Sequence, residues 1–111
     1  MKKSGVLLLV VLLCGCTTAH RFHSEFEFAN RLASSGLWNE ALFRWQKSLT
    51  QGNDSAAVHN NMAVALECLS RFDEAEKEYL QAQRLAPANA MIKSNFERFK
   101  KNLLKGKDEK K

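Results

Sequence analysis

The chain has little of what builds strands, tight loops or cofactor sites. One proline (Pro87) and five glycines stand among 111 residues, and there is a single tyrosine. Few chain breakers beside abundant Ala, Leu, Glu and Lys argue against a sheet and for helices. No apolar run approaches the roughly 20 residues that a helix needs to cross a bilayer. The longest, 6–13, is eight residues. No Gly-rich phosphate loop is present, no His-Glu-x-x-His and no Gly-x-Ser-x-Gly, the motifs that would announce nucleotide binding, zinc hydrolysis or a nucleophile elbow. No catalytic residues, metal ligands or cofactor are therefore assigned, and the chain is expected not to be an enzyme. Cysteine is sparse too: Cys14, Cys16 and Cys68 are too few for a disulfide framework.

What is present is charge at one end and apolar periodicity throughout. The net charge of +5 is uneven: residues 98–111 hold seven basic side chains against two acidic ones, whereas 17–97 hold eight against ten. The basic end could meet anionic lipid or simply be a solvated terminus. Four stripes recur at helical spacing: Trp38, Ala41, Leu42, Trp45 and Leu49; Val58, Met62, Ala65, Leu66 and Leu69; Phe72, Ala75, Tyr79, Ala82 and Ala86; and Ile92, Phe96, Phe99 and Leu103. Each is one face of a helix with 3.6 residues per turn. Gly36 and Gly52 suit helix ends, Ser55 and Ser70 suit N-caps, and Asp73, Glu74 and Glu76 complement the dipole where the fourth helix opens. These signals predict helices over 22–35, 38–51, 55–69, 72–86 and 89–104, an all-α fold.

The first sixteen residues form an address. Lys2 and Lys3 precede the apolar run, and Leu13-Cys14-Gly15-Cys16 follows it, the layout of an export signal. The last four residues resemble the lipobox of bacterial lipoproteins, with small Gly15 before the cut and Cys16 as the lipidated residue. Cys14 fits poorly, because bulky Leu13 precedes it. The resemblance implies a signal peptide over 1–15 and a lipidated Cys and tether over 16–21. It places the protein in the cell envelope, anchored by lipid. Thr17 in place of Asp after Cys16 points to the periplasmic face of the outer membrane in a Gram-negative cell. A partner role for nucleic acid does not fit an exported protein. His20 and His23 lie on the tether and are read as solvated.

The body repeats itself at a shift of 34 residues. Gly36-Leu37-Trp38-Asn39-Glu40-Ala41 lies over Ser70-Arg71-Phe72-Asp73-Glu74-Ala75, with Phe28-Ala29 over Met62-Ala63, Leu32 over Leu66, Trp45 over Tyr79, and Asn61 over Asn95. Period and pattern resemble the tetratricopeptide repeat. Ala63, Leu66, Phe72, Ala75, Tyr79, Ala82 and Pro87 fill its signature positions in 56–89. Ala29, Leu32, Trp38, Ala41, Trp45 and Ser48 fill them in 22–55, where Asn53 replaces the proline and Glu25 a large apolar residue. The resemblance implies a short α-solenoid: two helix-turn-helix repeats, a capping helix over 90–105 with a polar outer face (Lys93, Glu97, Lys100), and a basic disordered tail over 106–111.

In this family the first helices of the repeats line a concave groove that takes a peptide segment or helix of a protein partner. Carried over by position, the groove comprises Phe26, Asn30, Ser34, Asn60, Val64, Glu67, Ser94, Arg98 and Lys101. Phe26 is either an exposed anchor or a packed residue. The carboxylate clamp of one subclass is not expected, since Phe26, Met91 and Asn95 stand at its basic positions. His59 is read as a packing or capping residue and Glu74-x-Glu76-x-Glu78 as a solvated face. Cys68 is read as a small buried apolar residue, with an intermolecular disulfide as the alternative. The function this implies is a membrane-tethered adaptor in a cell-envelope assembly of the pilus, secretion or outer-membrane type. The alternative is a self-associating lipoprotein whose short solenoid is completed as a homodimer, because solenoids usually need three or more repeats.

Overall fold

The computed structural model describes residues 24–110. The expected export signal, lipidated Cys16 and tether lie outside the described residues. Among those described there are five helices and no strand: α1 over 24–34, α2 Trp38–Thr50, α3 Ala56–Cys68, α4 Phe72–Leu85 and α5 Ala90–Asp108. The apolar stripes account for α2 to α5, and each boundary within the described residues except the end of α5 lies within two residues of its expected place.

The ends of the helices explain the tight turns. After α1, the Gly36 N–H donates to the Ala33 carbonyl (2.9 Å) and the Leu37 N–H to Leu32 (3.0 Å). After α3, Ser70 donates to Glu67 (3.0 Å) and Arg71 to Leu66 (2.8 Å), the same pair of bonds one period on. After α2, Gly52 donates to Leu49 (2.9 Å) and Asn53 to Ser48 (3.1 Å). All three are Schellman stops, which need a left-handed residue just past the helix. Gly36 (φ 76°) and Gly52 (φ 102°) supply it. At the third stop the residue is Ser70, at φ 59°. Ser70 is therefore not the N-cap of α4: the turn claims it for the left-handed position, and Arg71 holds the cap position with no side-chain bond to the helix backbone, its guanidinium pairing instead with the Glu74 carboxylate. A β-carbon in that region costs roughly 1–2 kcal/mol. Ser70→Gly is expected to stabilise the protein by about 1 kcal/mol and raise the thermal midpoint by about 4–8 °C. A melt followed by circular dichroism that stays unchanged or falls refutes this account of the turn.

The helix starts repeat as well. Ser55 Oγ accepts the Val58 N–H (3.4 Å) and Asn89 Oδ1, 34 residues later, accepts that of Ile92 (3.1 Å). Ser55 is thus the cap that the sequence announces. Asn53, in the place of the proline, closes its turn by donating to Ser48 Oγ (3.0 Å).

Each helix from α2 to α5 packs on the next, most extensively α3 on α4. Ala29, Ala41, Ala63, Ala75 and Ala82 are all fully buried, so backbones approach closely. Trp45 and Tyr79 fill the gaps between helices, and Tyr79, Phe96 and Phe99 form an aromatic cluster. α5 runs to Asp108, through Gly106 and past the expected end of the cap at 105. Lys105 and Lys107 lie in its last turn, where positive charge offsets the helix dipole, and half-buried Leu103 ties this stretch to the core.

Candidate functional site

The groove residues sit on α1, α3 and α5, and a chain of polar side chains joins those helices. Asn61 Nδ2 donates to Asn30 Oδ1 (3.1 Å), linking α3 to α1. Asn95 Nδ2 donates to Asn60 Oδ1 (3.1 Å), linking α5 to α3. The two links meet where Asn60 Nδ2 approaches Asn61 Oδ1 (3.5 Å). Asn30 Oδ1 also accepts the Trp45 indole N–H (3.2 Å). At the α5 end Arg98 donates to Asn95 Oδ1 and Glu67 Oε2, both at 3.4 Å, and Glu67 Oε2 accepts the Tyr79 hydroxyl (2.9 Å). Burial first, and the Glu67 hydrogen bond second, push the Tyr79 hydroxyl well above its ordinary pKa, so it remains a neutral donor.

This chain divides the nine expected groove residues. Asn60 is 3% exposed, with its Oδ1 bonded across to α5 and its Nδ2 to Asn61 on its own helix, so it is a strut of the row with almost no surface to offer. Asn30 and Glu67 are half-buried in the same network. Phe26 and Val64 are half-buried against the core, which identifies Phe26 as a packed residue more than a free anchor. Ser34, Ser94, Arg98 and Lys101 are exposed, although the Ser34 hydroxyl donates to the Arg31 carbonyl (2.8 Å). The open part of the row is therefore its α5 end, and that end is basic. Asn61 and Asn95 complete the row. Their recurrence at one period was the available signal, and it marks a structural pair.

Two further readings change, those of Glu78 and Cys68, and His59 packs as expected. His59, 7% exposed, is held between Glu78 Oε2 (2.5 Å) and Asp54 Oδ1 (2.8 Å). It ties the start of α3 to α4 and to the preceding loop. Glu78 is accordingly not part of a solvated run, although Glu74 and Glu76 are exposed. Cys68 is an exposed free thiol at the end of α3, not a buried residue. Partial desolvation and then the Glu67 charge hold its pKa above the usual value, which disfavours the reactive thiolate.

Glu25, the departure from the repeat pattern, is an inter-helix clamp. It accepts from Lys47 Nζ (2.8 Å) and Arg44 Nη1 (3.3 Å) on α2. The Lys47 bond, then that of Arg44, hold its carboxyl below the ordinary range despite opposing desolvation. Arg44 also lies 4.9 Å from the Phe28 ring centroid, a cation–π distance.

Two cavities lie at the ends of the array. One, about 350 Å³, is bordered by Phe28, Leu32 and 61%-exposed Phe43. The other, about 420 Å³, is lined by Phe72, Phe99, Leu103 and Gly106, by Lys107 and Lys110, and by one acid, Glu67, which is already engaged by Tyr79 and Arg98. Among the described residues no three His, Cys, Asp or Glu side chains are grouped to hold a metal ion, and no helix is long and apolar enough to cross a membrane.

No curated protein matches the chain. Residues 27–105, from the first helix through nearly all of the last, match the family described as a domain of unknown function, DUF6340. The chain belongs to that family.

Proposed function

We propose that this protein is a lipid-anchored, tetratricopeptide-like adaptor that binds a protein segment along the α1–α3–α5 row in a cell-envelope assembly. The supporting observation is the 34-residue recurrence of backbone detail: matching helix stops at Gly36 and Ser70 and matching helix caps at Ser55 and Asn89. Equal turns and equal starts orient successive helix pairs alike and leave α1, α3 and α5 as neighbours on one side. The amide chain from Asn30 to Arg98 then fixes their spacing, so a partner meets a rigid row and loses little free energy to ordering the surface. Binding is weighted towards α5, where Arg98 and Lys101 are exposed, and an acidic segment is the complementary partner. Two or three acyl chains on Cys16 give firm attachment where one gives only marginal binding.

The test is a photocrosslinking residue at exposed Ser94 in living native cells, in the wild type, with Arg98→Glu, and with Cys16→Ser. One envelope protein should be captured. Arg98→Glu should cut that capture several-fold, and Cys16→Ser should release the chain from the membrane fraction. If the only product is the chain linked to itself, the self-associating reading replaces this one. If Cys16→Ser stays with membranes through detergent-free washing, the lipid anchor is wrong.

A further inference from the structure

The cavity at the α5 end is where the internal repeat stops being followed. At the first junction the chain turns after Leu69, passes Ser70 and opens α4 with Phe72-Asp73-Glu74-Ala75-Glu76. One period later Leu103 repeats Leu69 on the cavity floor, but no turn follows. Leu104 stands in the place of Ser70, and α5 runs straight on. Gly106 therefore stands in the place of Phe72, a hydrogen where the earlier unit has a ring. A β-carbon at Gly106 would meet nothing within 4 Å. Two of the three acids invert in the same register. Lys107 replaces Asp73 and Lys110 replaces Glu76, while Asp108, in the place of Glu74, stays acidic but does not line the cavity. Neither lysine is in an ion pair among the described residues.

The rest of α5 limits what can dock. Ala29 and Ala63, where paired helices approach closely, are followed one period on by Glu97. Leu32 and Leu66 are followed by Lys100. Glu97 and Lys100 pair with each other at 2.8 Å and are exposed or half-exposed. A whole helix cannot lie along that face as α4 lies along α3. Only the cavity at its end remains apolar.

We infer that this cavity is a docking site for the first turn of a helix in a partner protein, one that opens with an aromatic residue followed by acids. The ring enters the space beside Gly106, over Phe72, Phe99 and Leu103, and the acids face Lys107 and Lys110. The chain's own α4 start is the template for such a segment, and the rim charges are its complement. The inference uses neither the lipid anchor nor the amide row, so it can fail while the adaptor reading stands.

The experiment is a nuclear magnetic resonance titration of the isotope-labelled full chain in phosphatidylcholine nanodiscs. The probe is a peptide that begins Phe-Asp-Glu-Ala-Glu and continues as an alanine-rich helix. Its control replaces the three acids with lysine. Saturable shifts are expected at the Phe72, Phe99, Leu103 and Gly106 amides, at least ten-fold weaker with the control peptide. Gly106→Trp, which fills the cavity and removes a helix-interior glycine, should abolish them. The double change Lys107→Glu, Lys110→Glu, on exposed positions, should weaken them at least ten-fold while the spectrum keeps the dispersion of the folded chain. The inference is overturned by an absence of saturable shifts, by equal response to the control, or by persistence in Gly106→Trp. It is equally overturned if those amides respond to protein concentration alone, which assigns the cavity to a second copy, or to phosphatidylglycerol vesicles and not the peptide, which assigns it to lipid.

Discussion

Tyr79→Ala is expected to destabilise the protein by about 3–5 kcal/mol, the range for removing a large buried ring. Tyr79 is the largest fully buried side chain. Its ring lies 5.5 Å from Phe96 and 5.2 Å from Phe99, centroid to centroid, so together with the Phe72–Phe99 pair it holds α5 to α4. No neighbour can close over the gap without moving an element. A native domain has only about 5–15 kcal/mol in all, so the loss removes roughly a fifth of it or more. Tyr79→Phe separates the two roles of the residue. It keeps the ring and deletes the hydroxyl that donates to Glu67. Glu67 retains Arg98 at 3.4 Å and is half-exposed, so the cost should be near 1 kcal/mol. Urea denaturation followed by circular dichroism measures both. Equal effects from the two substitutions would mean that the hydrogen bond and not the ring secures α5.

The helices and their packing faces were legible because each rests on local pattern. A period of 3.6, a glycine past the last apolar residue and a Ser or Asn before the first are written within one turn of where they act. Gly36, Gly52 and Ser55 stand as expected for that reason. Ser70 misled because serine is favoured at an N-cap and tolerated at a helix stop, and only the 34-residue register with Gly36 distinguishes the two. The polar interior was less legible. Asn60 is buried because Asn95, 35 residues away, donates to it. Glu78 leaves the solvated face because His59, 19 residues earlier, receives it. Such partners are fixed by the packing of helices, which composition does not encode. The open cavity was hidden in another way. Gly106 reads as the start of a tail, yet Leu103 and the lysines of the last turn carry α5 through it. Exposure of Cys68 follows from its place at the edge of the α3 stripe, in the last turn of that helix.

The amide row and the alanine contacts set the same geometry from two sides, and that makes the small residues the sharper probe of the fold. Ala75→Trp is expected to unfold or aggregate the protein. Ala75 is 0% exposed and lies on α4, which packs against α3 more extensively than against α5. Ala63 on α3 is 0% exposed as well, so neither helix has a larger side chain there that could withdraw. Overpacking typically costs 1–3 kcal/mol and sometimes more, and an indole in place of a methyl is the extreme case. For a domain of this size even 2–3 kcal/mol lowers the thermal midpoint by about 10–20 °C. Ala57→Trp is the control: Ala57 is on α3 but exposed, where substitutions usually change stability by no more than about 0.5 kcal/mol. If both variants melt with the wild type, the α3–α4 contact is not the close one drawn from these alanines, and the 34-residue register loses its physical basis. If Ala75→Trp alone collapses, the spacing of the α1–α3–α5 row is set by residues that touch no partner, and variants that widen the α3–α4 contact should lose partner capture even with every exposed side chain intact.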